Sequence, residues 1–246
     1  MARKNKSGGN SGSMASSREL KQRVKTARGR KNSSTLWLQR QLNDPYVAAA
    51  RRDGFRSRAT YKLIEIDDKY HLLKPGYRVL DLGAAPGGWT QIAVKRTGAA
   101  NGRGGEVVGI DLLPIEPIAG STLLEMDFMA DEAPDELKRQ MGGPADVVLS
   151  DMAASATGHK PTDHLRIMSL CELALDFAME VLKPGGSFLA KVLQGGAERD
   201  LMMTLKTNFK VVRHVKPKAS RSDSAEMYVL ATGFRGTATS KDTDDT

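Results

Sequence analysis

Asp81-Leu82-Gly83-Ala84-Ala85-Pro86-Gly87-Gly88-Trp89 follows directly on the apolar run Tyr77-Arg78-Val79-Leu80, and its reading decides the fold. An apolar run that breaks into small residues and then meets a helical pattern, here Thr90 to Lys95, is a strand, a turn and a helix. Three glycines, a proline and an aspartate in nine residues leave the turn almost without side chains. A ligand can lie against such bare backbone, with helix N-terminal N–H groups facing it. A bland strand-to-helix connection has no need of that composition. The spacing is not G-x-G-x-x-G, so the dinucleotide fingerprint is not met.

Outward from this unit the pattern alternates. A basic helical stretch, Arg58 to Tyr70, precedes the strand Arg78–Leu82 and the helix Thr90–Lys95. Strands Glu106–Asp111 and Thr122–Met126, helix Asp131–Met141 and strand Ala145–Ser150 follow. A long helix, Asp163–Leu182, ends at the stop signal Lys183-Pro184-Gly185-Gly186. Strand Ser187–Leu193, helix Ala197–Asn208 and the strands Lys210–Val215 and Glu226–Ala231 complete the chain. Strands alternating with helices predict an α/β fold with a mostly parallel, doubly wound sheet of seven strands. The last two strands have only a loop between them, which predicts an antiparallel hairpin at one edge. The sheet reads as one domain over residues 45–235, with its ligand over the carboxyl ends of the first strands.

Charge is unevenly placed. Of the 246 residues, the first 44 hold eleven Lys/Arg against Glu19 and Asp44, a net of +9, while residues 45–246 sum to −1. The basic balance therefore belongs to an arm, residues 1–44, and not to the domain. Its Ser7-Gly8-Gly9-Asn10-Ser11-Gly12-Ser13 stretch cannot bury enough surface to offset ordering entropy, so a disordered arm is expected. Such an arm most often meets nucleic-acid phosphates; a solubility tail is the plainer alternative. A transit peptide fits poorly, since the Gly/Asn-rich start has no amphipathic apolar face. Residues 236–246 read as a polar tail. No apolar run approaches the ~18 residues of a membrane span, and no secretory segment is evident, so a cytoplasmic monomer is expected. The single cysteine, Cys171, lies in a helical pattern and reads as a buried, reduced thiol. The four histidines are scattered without ligand spacing, and no metal is expected.

Polar residues recur where the strands stop. Asp81 at the end of the first strand suits an amino-acid ammonium better than a pyrophosphate, and S-adenosylmethionine carries that ammonium. Gly83 and Gly87 open the turn beside it. Asp111 ends the second strand, where an acid takes ribose hydroxyls. Asp127 is placed for an adenine amino group, with Phe128 beside it. Asp151 follows Val147-Val148-Leu149-Ser150, and Glu226 opens the last strand. Each acid alone could be a turn residue or a cap. Lys191 is different: a lysine inside Ser187-Phe188-Leu189-Ala190-Lys191-Val192-Leu193 needs a partner or a wet cleft.

These motifs, in this order, resemble the FtsJ/RrmJ family of ribose 2′-O-methyltransferases. The resemblance runs from about Asp44 to Gly233 and is carried by Gly54-Phe55-Arg56-Ser57-Arg58-Ala59 with Lys62, the Asp81–Trp89 turn and Asp111-Leu112-Leu113-Pro114. Ser150-Asp151-Met152-Ala153, Lys183 to Phe188, Lys191-Val192 with Gln194-Gly195, and Glu226 with Tyr228 and Ala231-Thr232-Gly233 continue it. It implies a Rossmann-like S-adenosylmethionine-dependent fold and a catalytic tetrad Lys62, Asp151, Lys191 and Glu226, with Lys191 as proton acceptor. It implies cofactor contacts at Gly87, Trp89, Asp111, Asp127 and Asp151. It also implies a substrate, a uridine ribose 2′-hydroxyl of 23S ribosomal RNA in the large subunit. One departure stands out: Ala154-Ser155 replaces the usual Pro-Asn, which leaves the tetrad intact and alters the substrate-side loop.

The chemistry is consistent with that resemblance. A ribose hydroxyl is a weak acid, so a base must take its proton during attack. Lys191 can do so where a cationic neighbour or desolvation favours its neutral form, and Lys62 can be that neighbour or steady the developing oxyanion. Asp151 and Glu226 would orient the two lysines. Arg51, Arg52, Arg56 and Arg58, with Lys216, Lys218 and Arg221, flank these residues and read as phosphate contacts. Competing readings are the same chemistry on a tRNA anticodon loop, a non-catalytic RNA-binding ribosome-assembly factor, and an NAD-dependent oxidoreductase. The lysine in a core strand argues against the second and the absent G-x-G-x-x-G against the third.

Overall fold

A computed structural model describes residues 32–102, 104–154, 157–194 and 198–236. The chain divides between Pro45 and Tyr46. In the first part, the helix α1 (Asn32–Leu42) lies inside the stretch read as an arm. Leu38 and Leu42 are one helical turn apart, a spacing hidden among serines and glutamines. Residues 1–31 of the arm and 237–246 of the tail lie outside the described residues.

The second part opens with the end of α2 (Pro45–Arg52) and α3 (Thr60–Tyr70). The α/β succession is then β1 (Arg78–Leu82), α4 (Gly88–Thr97), β2 (Glu106–Asp111), β3 (Thr122–Glu125), α5 (Ala133–Met141), β4 (Ala145–Ser150) and α6 (Lys160–Val181). It closes with β5 (Leu182–Leu193), α7 (Glu198–Asn208), β6 (Phe209–Val215) and β7 (Glu226–Phe234). The seven strands form one sheet in the order β3-β2-β1-β4-β5-β7-β6. The first five are parallel, and β7 runs antiparallel to both β5 and β6. The predicted edge hairpin is present, with β7 inserted between its partner and the parallel strands. The strand Ser187–Leu193 is longer than read: Leu182 already pairs with Ala145, and the register shifts before Val147 meets Ser187. Lys183-Pro184-Gly185-Gly186 therefore ends α6 and is also the irregular start of β5.

Strand alternation sorts the core into two layers. Leu80, Leu82, Val108 and Ile110 face α5, α6 and α7. Val79, Val107, Val147, Leu149, Leu189 and Leu230 face α3 and α4. Cys171 is buried on α6 in the first layer, as its pattern predicts. The same period of two fixes the site. Asp81, Lys191, Glu226 and Tyr228 each lie an even number of residues from an α3/α4-facing apolar residue of their own strand, and Asp151, one residue past β4, is two from Leu149, so they share that face. The strand order reverses between β1 and β4, and a doubly wound sheet opens its binding crevice at such a point, over the carboxyl ends.

Candidate active site

The turn after β1 is shaped for close approach. Gly83 has φ +78°, and a Cβ there would lie 2.8 Å from the Met152 side chain. Gly87 has φ +105°, and a Cβ would meet the Arg56 guanidinium at 2.7 Å. Only glycine fits both conditions at each position. Asp81, fully buried, accepts a hydrogen bond from the Thr90 hydroxyl through Oδ2 at 2.7 Å. Its Oδ1 is buried with no partner among the described residues. Burial pushes this carboxyl up to about 7; the Thr90 hydroxyl opposes the shift, and the nearby Asp151 and Asp111 carboxylates add to it.

A cavity of about 180 Å³ lies beside the turn, lined by Gly83, Asp111, Leu112, Asp127, Phe128 and Met152 among others. It is smaller than the roughly 300–1,000 Å³ of sites that enclose a whole drug-sized ligand, so it suits one ring of a larger molecule. Asp111 accepts the Ala85 N–H through Oδ2 and the Leu113 N–H through Oδ1, each at 2.9 Å. A carboxylate has about four acceptor positions, so lone pairs remain for a ligand. Asp127 accepts the Met129 N–H at 2.9 Å and lines the same cavity.

The four tetrad candidates come together as two ion pairs. Lys191 Nζ lies 2.9 Å from Asp151 Oδ1 and donates to the Asp151 carbonyl at 2.7 Å. Lys62 Nζ, carried by α3, lies 2.5 Å from Glu226 Oε1. Each lysine thus faces an acid, and the charge of Lys62 is matched locally rather than turned on Lys191. Tyr228 joins the pairs: its hydroxyl donates to Asp151 Oδ1 at 2.8 Å, and Lys62 Nζ stands 5.7 Å from the centre of its ring. Burial, with the Asp151 and Glu226 carboxylates, raises the Tyr228 phenol well above its usual range, so it stays a donor. A cleft of about 740 Å³ opens past the ends of β5 and β7, lined by Pro161, Asp163, His164, Leu193, Gln194 and Ala225 among others. Leu193 pairs with Glu226 across the sheet, so this cleft adjoins the tetrad.

The FtsJ-like methyltransferase family matches the chain over residues 55–234, nearly the whole α/β part. The chain belongs to that family. Among relatives of this FtsJ-like methyltransferase, a Ribosomal RNA large subunit methyltransferase E of Parvibaculum lavamentivorans is 63% identical over 244 residues, covering 96% of each chain. One of Xanthobacter autotrophicus is 64% identical over 221 residues, 90% of this chain and 87% of the relative. A crystal structure described as a ribosomal RNA methyltransferase of Plasmodium falciparum superposes with a TM-score of 0.66 at 32% identity, covering 74% of this chain and all of that one.

Two residues singled out in the sequence of this FtsJ-like methyltransferase have side chains engaged within the fold. Trp89 is 3% exposed; its indole N–H donates to the Ala59 carbonyl at 2.9 Å and its ring packs on Tyr228 at 5.6 Å. Its side chain is core, so any cofactor contact at Trp89 comes through its backbone at the first turn of α4. Arg56 reads in sequence as a phosphate contact, yet its guanidinium donates to the carbonyls of Pro86, Glu116 and Pro117 at 3.2, 2.6 and 3.0 Å. It staples the glycine turn to the loop after β2. Tyr228 and Ser220, whose hydroxyl donates to Glu226 Oε1 at 3.2 Å, are site residues that strand patterns alone do not single out. Among the described residues, no group of three or more His, Cys, Asp or Glu could hold a metal, and no helix is long and apolar enough to cross a membrane.

Proposed function

We propose that this protein transfers the methyl group of S-adenosylmethionine to the 2′-hydroxyl of a uridine ribose in 23S rRNA of the large ribosomal subunit. The observation that carries the proposal is the Lys191–Asp151 pair, braced by Tyr228, at the carboxyl edge of the strand that pairs with the one leading into the glycine turn. The chain's own residues fit the cofactor. Asp81 Oδ1, buried and unpartnered, is where a ligand ammonium would be welcome, and a buried carboxylate left without one is costly. Asp111 would take ribose hydroxyls and Asp127 the adenine amino group, while Gly83 and Gly87 leave the backbone bare beside them. Bound there, the cofactor supplies an electrophilic methyl on a sulfonium, which calls for an in-line oxygen nucleophile.

The remaining work falls to the tetrad. Asp151 holds Lys191 through both a carboxylate and a carbonyl contact, which fixes the direction in which Nζ meets the ribose hydroxyl. Lys191, in its neutral amine form after releasing its own proton, takes the hydroxyl proton as the oxygen attacks. Lys62, steadied by Glu226, supplies positive charge where the oxygen gains negative charge. Holding two reactants in line contributes a large part of such an acceleration. The nucleotide enters through the cleft past β5 and β7, and the exposed Arg51, Lys216 and Lys218 meet phosphates farther along the RNA.

The test is transfer of labelled methyl from S-adenosylmethionine to large ribosomal subunits that lack the modification. Methyl on a uridine ribose of the large rRNA is the expected product. Methylation of deproteinised tRNA and none of the particles would overturn the assignment in favour of the tRNA reading.

A further inference from the structure

The loop between β6 and β7 carries two of the lysines just assigned to RNA, and it is held in an unusual way for a surface loop. Lys216 and Lys218 are exposed, whereas Pro217, Ala219 and Ser220 are buried. That alternation needs a fixed backbone. Glu65, one turn beyond Lys62 on α3, supplies the fixing: Oε2 accepts the Lys218 N–H at 2.6 Å and Oε1 the Ala219 N–H at 3.1 Å. The Tyr46 hydroxyl donates to the same Oε1 at 3.3 Å. Arg58 Nη2 donates to the Ala219 carbonyl at 2.5 Å, so both polar groups of Ala219 are held from the α3 side. The next residue, Ser220, donates to Glu226 Oε1, the oxygen that also receives Lys62.

We propose that Glu65 is a positioning residue: its carboxylate locks the β6–β7 loop so that Lys216 and Lys218 face the RNA backbone and Ser220 holds Glu226 against Lys62. This rests on the reading of the protein as an RNA methyltransferase. Charge alone has the opposite effect. An acid beside two phosphate-binding lysines repels RNA, so removing a bystander acid there would tighten RNA binding. Removing a positioning acid loosens it, because the lysines lose their presentation.

The experiment uses the full chain and unmethylated large ribosomal subunits. Glu65→Ala is expected to weaken particle binding by about tenfold and to lower the salt dependence of binding by about one phosphate contact per disengaged lysine. It should also lower kcat, through Glu226, while leaving S-adenosylmethionine affinity within about twofold, since Glu65 does not line that pocket. Glu65→Gln keeps one acceptor and turns an amide N–H₂ toward the other N–H, so it should fall between; it is the variant to read if Glu65→Ala is too unstable. Lys216→Ala with Lys218→Ala should weaken binding in the wild type and add little on top of Glu65→Ala. Unchanged or tighter particle binding by Glu65→Ala, or full additivity with the lysine pair, would overturn the proposal while leaving wild-type methylation of particles untouched. A wild type that neither binds nor methylates the particles would overturn both this inference and the function it rests on.

Discussion

Replacing Asp81 by asparagine tests the buried acid that the cofactor reading depends on. In the folded protein this carboxyl is pushed up to about 7 from an ordinary 3.8, chiefly by burial. One pKa unit corresponds to about 1.36 kcal/mol, so ionising Asp81 in the ligand-free fold costs on the order of 4 kcal/mol. The sign follows from proton counting. Between pH ~4 and ~7 the folded state keeps a proton that the unfolded state has released, so stability falls as pH rises through that window and is flat above it. The asparagine side chain does not titrate and is shaped like the protonated acid, able to face the Thr90 hydroxyl. Urea unfolding of the ligand-free wild type and Asp81→Asn at pH 5 and pH 8 reads the effect. The variant should gain on the wild type by about 2.7 kcal/mol between the two pH values, the part of the shift that lies above pH 5. With S-adenosylmethionine present the order reverses at pH 8, because only the carboxylate pairs with the ammonium. A difference between wild type and variant that does not change with pH would refute the reasoning.

Other predictions follow from the same geometry. Asp111→Ala should weaken S-adenosylmethionine binding by roughly ten- to hundredfold, from lost charge-assisted hydrogen bonds worth on the order of 1.5–3 kcal/mol, by isothermal titration; unchanged affinity would remove Asp111 from the site. Tyr228→Phe removes only the hydroxyl that Asp151 accepts, and should cost about 1.5–3 kcal/mol in urea unfolding and lower kcat more than it changes the cofactor Kd. A Tyr228→Phe protein with wild-type turnover would mean that the phenol does not brace the Lys191–Asp151 pair. Deleting residues 1–31, which carry ten Lys/Arg and one acid, should leave cofactor affinity intact and weaken particle binding most at low salt. Unchanged KM and salt dependence would make that segment a solubility tail only.

The parts of this protein legible in its sequence are those with a local signal. The turn from Asp81 to Trp89 announces itself because glycines at 83 and 87 combine positive φ with close approach, and nothing in a plain connection requires them. Lys191 stands out because apolar strand residues surround it. The bounds of β1, β2 and β4 are as read, since buried parallel strands are continuous apolar runs. What was hidden depends on partners far along the chain. The Glu65 carboxylate meets residues more than 150 positions away, and Arg56 meets carbonyls 60 positions on. A sequence shows an arginine's charge but not which carbonyls have claimed it. Trp89 sits in a ligand-binding motif, yet its large ring fills the layer under Tyr228, a packing decision made by α3 and β7 together. The start of β5 was obscured because Pro184-Gly185-Gly186 reads as a stop, and only pairing of Leu182 with Ala145 reveals the strand before it.

The central claim is that Lys191 drives methylation of a uridine ribose in the large ribosomal RNA. Mass-spectrometric mapping of ribose methyl groups on that RNA tests it most directly, in cells lacking the gene and carrying either the wild-type or the Lys191→Ala protein. One uridine 2′-O-methyl should disappear without the gene and return with the wild type. It should stay absent with Lys191→Ala, although that protein accumulates and binds S-adenosylmethionine normally. Lys191→Arg should also fail, because a guanidinium keeps its proton. A methyl group that persists without the gene, or that Lys191→Ala restores in full, would contradict the account.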